Sequence, residues 1–319
     1  MDEIQAKLFG IFFPFAAKKM AAAKESSNFR FAYYTSAETA LQIFRKREVW
    51  MRNARTMNDF NEITYGKALL LETYRSDVGK AFQQAISSMY PHFWAAFETL
   101  FNRWLPTMLN QTYLTCFSEH LATEDDLGRL SMWRAYGRKN GVALVANKDV
   151  FVSETDALGI YSSPVAYIDA AGFAAELSAI TDTVLANREL LLGLGEERIR
   201  DHVFAMFQAA VLCTKHPGFC EELEWRAYWS PTFQGDGKFK HDVECIGGVP
   251  QIVLKVPLVD SPEEKLVGLS PNGLVNRVIV GPSEFAHSIY DALILAMGDA
   301  GVIDPEQRIV LSNIPLRHS

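Results

Sequence analysis

Residues 219–228 read Phe-Cys-Glu-Glu-Leu-Glu-Trp-Arg-Ala-Tyr, followed by Trp229. Polar and apolar residues alternate from Glu222 onward, the pattern of a strand that buries one face. Taken as a strand over Glu221–Trp229, a two-residue period puts Glu222, Glu224, Arg226 and Tyr228 on one side. Leu223, Trp225, Ala227 and Trp229 fall on the other side, which would face the core. Two carboxylates and a guanidinium in line can hold a sugar or stabilise positive charge developing at an anomeric carbon. The same residues also fit a solvated strand face laced by cross-strand ion pairs.

Outward from this strand, the chain mixes strands and helices without regular alternation. Upstream, helices are expected over about 171–187 and 195–213. Strands precede them at Thr112–Ser118, Gly141–Ala146 and Gly159–Ile168, the last interrupted or placed at an edge by Pro164. Thr64 to about Leu105 is helical and aromatic-heavy. Thr123 caps a helix whose first turn carries Glu124, Asp125 and Asp126, and which runs to a stop at Gly137. Near the start, Phe29–Thr35 reads as a strand and Ser36 as the N-cap of a helix over Ala37–Arg47. Glu48–Asn53 alternates like a second strand, and Arg55–Glu62 is polar and non-periodic, hence a loop. Downstream come strands at Gln251–Val256 and Arg277–Val280, a helix over Ser283–Ala300 and a short strand near Ile309–Ser312. Such a mixture predicts an α+β fold rather than a doubly wound sheet.

The chain has 319 residues, 49% of them hydrophobic and 22% charged, with 31 Lys+Arg against 38 Asp+Glu and a net charge of −7. This is a globular composition, and it excludes a wholly disordered or collagen-like chain. The acidic balance argues against a broad nucleic-acid-coating surface, although Arg45, Lys46, Arg47, Arg52 and Arg55 could form one local basic patch. That run also fits a solvated helix face and turn. The four cysteines, without a CxxC pair, read as reduced thiols of a cytoplasmic protein. Residues 2–24 are helical with a break near Pro14, and their apolar run is too short to span a bilayer. The expected organisation is an N-terminal helical extension over 1–28 ahead of a single α+β domain over 29–319. The extension either docks a partner or packs on its own domain.

No P-loop, GxGxxG fingerprint, HExxH pair, GxSxG elbow or zinc-type Cys/His quartet occurs, which weakens kinase, metallohydrolase and serine-hydrolase readings. Three further segments carry possible chemistry. Leu130–Gly137 (LSMWRAYG) places Arg134 where it could bind phosphates or satisfy the last carbonyls of a helix. Trp133 and Tyr136, three apart, could form a stacking wall or simply pack in the core. Tyr33-Tyr34-Thr35-Ser36 ends the first strand, and only one of the two tyrosines can line a given pocket. Asn58-Asp59-Phe60-Asn61-Glu62 could contact ribose or adenine, or form a turn held by its Asn and Asp side chains.

In this order, the YYTS strand, the MNDFNE loop, MWRAYG followed by GVAL, the F-x-x-E-x-E-W-R segment and VLSNIPLR after RVIVGPSE resemble a bacterial family catalogued as domain of unknown function 2971. The likeness covers roughly residues 29–317, with Phe60 standing where the loop usually carries proline. That family is in turn distantly similar to the ADP-ribosyltransferase fold, which holds NAD on a split, mostly antiparallel sheet with peripheral helices. The resemblance implies Tyr33 or Tyr34 at the first-strand position, with Thr35 beside it, and Tyr136 or Trp133 as the aromatic wall. It also implies Glu224 as catalytic acid with Glu222 as its companion. Arg134 is the candidate for the pyrophosphate, with Arg226 in reserve, and Asn58 and Asp59 contribute cofactor contacts from the loop.

The implied activity is cleavage of NAD, used as a substrate, and transfer of ADP-ribose to a macromolecule, with nucleic acid such as RNA first, DNA included, and protein second. Such families resemble toxin and anti-phage defence effectors, for which an antitoxin or chaperone partner is expected and a membrane is not. The competing expectations are a non-catalytic nucleotide- or partner-binding module, and a nuclease or hydrolase using Glu222 and Glu224 with a metal.

Overall fold

A computed structural model describes residues 2–56, 60–137, 139–230 and 239–315. Its centre is a ten-stranded sheet. Along its main path the order is β12 (Ile309–Leu311), β11 (Val275–Val280), β4 (Gly141–Asn147), β1 (Arg30–Ser36), β3 (Tyr113–His120), β2 (Glu48–Asn53), β10 (Val249–Pro257) and β9 (Lys240–Ile246). β8 (Glu224–Trp229) branches from β3 and carries β5 (Tyr161–Pro164) beyond it. Every pair in this sheet is antiparallel except β11–β12. The strands β6 (Ala166–Tyr167) and β7 (Thr214–Lys215) form a separate parallel pair. The α+β expectation holds.

The sheet forks at β3. Ser118 pairs with Ala32 on one edge and Glu224 on the other, while Leu114 pairs with Arg52 and Tyr228 in the same way. β1 and β2 therefore share one edge of β3, touching only its two ends, and Thr115–Phe117 bridge the fork between them. Glu224, Arg226 and Tyr228 share a face with Ser118, Cys116 and Leu114, and Tyr34 shares it through Ala32. Tyr33 and Thr35 point to the opposite face.

Local sequence explains the ends of these elements. Pro14 stops α1 (Glu3–Phe12) and opens α2 (Pro14–Glu25) at a position where no N–H is needed. The Ser36 hydroxyl accepts the Thr39 N–H at 3.1 Å and starts α3 (Ala37–Lys46). Gly247 and Gly248, at φ +60° and +82°, make the two-residue turn between β9 and β10, where left-handed backbone matches the strand twist.

Helices α4 (Phe60–Arg75), α5 (Asp77–Ser87), α6 (Phe93–Gln111), α8 (Ala170–Ala186), α9 (Arg188–Leu194) and α10 (Glu196–Leu212) form one layer. The short α7 (Leu130–Met132) lies apart from them. That layer's core includes Phe82, Phe93, Phe97, Phe101, Phe204 and Phe207, and takes in Leu114 and Tyr228 from the sheet. Leu8, Ile11 and Phe12 of α1 are buried in the same core, so the N-terminal helices pack on their own domain. On the other face, α3 and the helix Ala286–Asp299 cover β4 and β11, and Phe31, Phe151 and Trp225 form an aromatic cluster with Ala23 of α2.

Several expected boundaries change. The helix expected from Thr123 to Gly137 is a 3-10 turn at Ala122–Glu124, then α7, then a π-helical turn over Trp133–Gly137. Gly128, at φ +69°, interrupts it. The polar loop expected to run to Glu62 ends earlier, because α4 begins at Phe60. β9 was not anticipated, its residues Lys-His-Asp-Val-Glu-Cys-Ile carrying little apolar patterning.

Candidate functional site

The strand expected over Glu221–Trp229 begins only at Glu224. Pro217–Glu222 form a 3-10 helix, and Leu223 takes a left-handed conformation at φ +45°. Glu222 is thus not on the face that carries Glu224, Arg226 and Tyr228, which corrects the in-line arrangement. The two carboxylates meet all the same, through Lys215 at the end of β7. Its ammonium donates to Glu222 Oε2 at 2.6 Å and pairs with Glu224 Oε2, and its side chain has no exposed surface. Arg226 Nε donates to Glu224 Oε1 at 2.6 Å, and its Nη1 donates to the Leu212 carbonyl at the end of α10. The Glu224 N–H donates to the Tyr167 hydroxyl at 2.7 Å.

The two carboxylates have opposite proton affinities. Burial alone would raise Glu224, but the charges of Arg226 and Lys215 outweigh it and hold the carboxyl at about 2. Glu222 is raised, by burial first and by the Glu224 charge, against the pull of Lys215 and Tyr136. Their access differs as well. The Glu224 side chain is 6% exposed and that of Glu222 16%, while Tyr136, whose hydroxyl donates to Glu222 Oε1 at 3.1 Å, is 37% exposed. Phe219 is exposed beside them, with the Lys215 ammonium 5.8 Å from its ring centroid. Solvent therefore reaches the cluster through Glu222 and Tyr136, not through Glu224.

A second network abuts the first. Arg129 donates from Nε and Nη2 to both Glu124 oxygens (2.6 and 3.1 Å), from Nη1 to Ser118 Oγ (2.7 Å) and the Glu221 carbonyl (2.8 Å), and from Nη2 to the Glu119 carbonyl (2.6 Å). Nη1 also reaches the Glu222 carbonyl at 3.2 Å. The Arg129 N–H donates to the Tyr34 hydroxyl at 2.8 Å, and burial pushes that phenol up to about 12. Tyr34 thus connects to the backbone under Glu222. Beyond Arg129, His120 shares a 2.9 Å hydrogen bond with Asp125, which also pairs with Arg30.

The remaining expected site residues are scattered. Trp133 cannot be a stacking wall, because it is fully buried, donates Nε1–H to the Leu127 carbonyl at 2.8 Å and meets Tyr34 edge-on at 4.9 Å. Arg134 is exposed on the π-helical turn. Tyr33 and Thr35 lie on the far face, where Tyr33 packs on Phe117. Asn58 and Asp59 lie outside the described residues. The basic run is dispersed: Lys46 pairs with Glu244, Arg47 binds the Asp299 carbonyl and Arg52 binds Gln251 and the Thr56 carbonyl.

Lys215, Arg129, Tyr167 and Ser118 were missed in the sequence. Lys215 sits in Cys-Thr-Lys-His-Pro, with no periodicity to place it beside Glu222. Among the described residues, no group of three or more His, Cys, Asp or Glu could hold a metal ion, and no helix is long and apolar enough to cross a membrane.

The site is thus a carboxylate pair bridged by a buried lysine on a forked α+β sheet. The family described as "Protein of unknown function (DUF2971)" matches residues 132–227, a span that holds Trp133, Tyr136, Lys215, Glu222, Glu224 and Arg226. No curated protein and no solved structure matches the chain.

Proposed function

We propose that the chain is an ADP-ribosyltransferase-like enzyme that cleaves NAD and passes ADP-ribose to a macromolecule, nucleic acid such as RNA first and protein second, in the manner of a toxin or anti-phage effector. The observation that carries this reading is the Glu222–Lys215–Glu224 bridge, which joins one carboxylate raised in proton affinity to one held ionised. Environments that drive a carboxylate pair apart are how acid–base roles are divided at a glycosidic centre.

Heterolysis of the nicotinamide–ribose bond sends the bonding electrons to the pyridinium nitrogen. Neutral nicotinamide leaves, and an oxocarbenium-like ribose remains. The acceptor nucleophile forms the new bond to that carbon and gives up its proton. Glu222, reachable from solvent and raised in pKa, accepts the proton. Glu224 acts as a positioning residue, fixing Lys215 and so the direction of the Glu222 carboxylate. Tyr136, hydrogen-bonded to Glu222 and exposed, supplies the aromatic face beside nicotinamide, and the exposed Arg134 supplies a charge for the pyrophosphate. The catalytic carboxylate in this reading is thereby Glu222, acting as general base, with Glu224 behind it.

One feature favours a second reading. Arg226 and Lys215 occupy both oxygens of Glu224, as in a purely structural ion cluster, and a nucleotide-binding module would share it. Nicotinamide release from NAD, measured with and without total RNA or cell extract, separates the two. The enzyme releases nicotinamide in an acceptor-dependent way, and Glu222→Gln lowers the rate by about a hundredfold or more while NAD still binds. Absence of release from folded protein that binds NAD establishes the binding module instead.

A further inference from the structure

A cleft of about 1030 Å³ lies apart from this cluster, bounded by α1, α2, the 150–163 segment and α10, and takes in residues of both sheet faces, Tyr228 from one and Tyr33 from the other. None of Tyr136, Lys215, Glu222, Glu224 or Arg226 lines it. It stands at the upper end of the range for small-molecule sites. Its walls are mainly apolar: Phe9 and Phe13, stacked at 5.4 Å, with Met20, Phe117, Leu144 and Val256.

The polar groups on the wall say what kind of occupant fits. Gln208 and Tyr228 are only 5% and 7% exposed, and neither side chain has a hydrogen-bond partner among the described residues. The buried Ser162 hydroxyl, also unsatisfied, lines the cleft from the opposite sheet face, beside Ala227. Buried polar groups are almost always hydrogen-bonded, so Gln208 and Tyr228, two neutral ones on the α10 side of the cleft, are groups that a ligand would satisfy. The charged groups on the wall are Lys24 and Glu154, which pair at 2.6 Å, and the carboxylates Asp156 and Asp201, which disfavour an anionic head; His202 Nδ1 bonds the Arg198 carbonyl at 2.8 Å. Among the described lining residues no unpaired Lys or Arg is presented for a carboxylate or phosphate head.

We propose that this cavity binds a neutral long-chain lipid, with its hydrocarbon tail against the aromatic and aliphatic wall and an uncharged ester, amide or hydroxyl end hydrogen-bonded by Gln208 and Tyr228. This site is independent of the NAD reading and stands if that reading fails.

Displacement of the neutral fluorophore N-phenyl-1-naphthylamine from the full chain tests it, with monooleoylglycerol and oleate as competitors sharing one tail. Saturable single-site dye binding is expected, with displacement by monooleoylglycerol at concentrations at least tenfold below those needed for oleate. Ala205→Phe with Ala209→Phe, two small residues of the α10 wall, fills the space and weakens dye and monooleoylglycerol at least tenfold in a chain that still melts cooperatively. Gln208→Leu keeps the volume and weakens monooleoylglycerol about fivefold without changing dye affinity, which decides the matter if the double variant does not fold. Non-saturable dye binding, equal binding in the filled variant, equal competition by oleate, or no effect of Gln208→Leu on monooleoylglycerol overturns the proposal.

Discussion

Lys215 has no exposed side-chain surface, yet its ammonium lies 2.6 Å from the Glu222 carboxylate at the edge of solvent. A buried lysine is tolerated only when anions replace its lost hydration, and here Glu222 and Glu224 both do so. Replacing it by methionine keeps the stem and leaves two carboxylates facing one another with Arg226 the remaining cation on Glu224. Lys215→Met should cost about 3–5 kcal/mol, read from urea denaturation. An unchanged midpoint would mean that the ammonium does not bridge the pair.

The two glutamates should act in opposite directions on stability as pH changes. Glu224 is held at about 2, below the ordinary 4.5, so the native state binds fewer protons than the unfolded chain between those values. Its stabilisation is full above 4.5 and is lost as the pH falls toward 2. Glu222 is raised, so the native state keeps a proton the unfolded chain has released, and its contribution declines as pH rises through the window above 4.5. Denaturation midpoints from acid to neutral pH should show Glu224→Gln flattening the acid limb and Glu222→Gln flattening the decline above it. An acid limb unchanged in Glu224→Gln would contradict this assignment.

Arg129 and Arg134 lie five residues apart and should behave in contrasting ways. Arg129 is enclosed and holds Glu124, Ser118 and the carbonyls under Glu222, whereas Arg134 is exposed. Arg129→Ala strands the Glu124 carboxylate and is expected to cost about 3–5 kcal/mol. Arg134→Ala should change stability by no more than about 0.5 kcal/mol and alter only nucleotide affinity. Equal thermal shifts in the two variants would remove Arg129 as the structural tie.

What could be read from the sequence was what repeats at short range. The strand at Glu48–Asn53, the Ser36 cap and the alternation from Glu224 to Trp229 depend on neighbours a few residues away, and each is found in place. The opposite facing of Tyr33 and Tyr34 follows from the same two-residue period. Glu222 was misplaced because a left-handed Leu223 breaks the alternation, and leucine gives no warning of that conformation. Lys215 reaches Glu222, seven residues on, because the 3-10 helix Pro217–Glu222 folds the chain back, and Arg129 reaches the Glu221 carbonyl from 92 residues away; neither contact is encoded by a periodic pattern. Trp133 and Tyr136 have helical spacing, but the π-helical turn buries the first and exposes the second.

That turn also makes a prediction about the glycines around Trp133. A Cβ on Gly281 would stand 2.9 Å from the Trp133 ring and 3.0 Å from the Gly141 carbonyl oxygen, and one on Gly128 would meet the same ring at 2.5 Å. Trp133 is pinned by its hydrogen bond to Leu127 and by Tyr34, so the ring has nowhere to retreat. Gly281→Ala should therefore cost about 1–3 kcal/mol by overpacking. Gly128→Ala adds the strain of a φ of +69° and should cost more. Because Tyr34 carries any shift of Trp133 to Arg129, both variants should also perturb the environment of Glu222. Thermal melts with near-ultraviolet circular dichroism of the tryptophans test both points. A Gly281→Ala chain as stable as the parent with an unchanged aromatic spectrum would show that the indole yields freely, and that Trp133 does not brace the site.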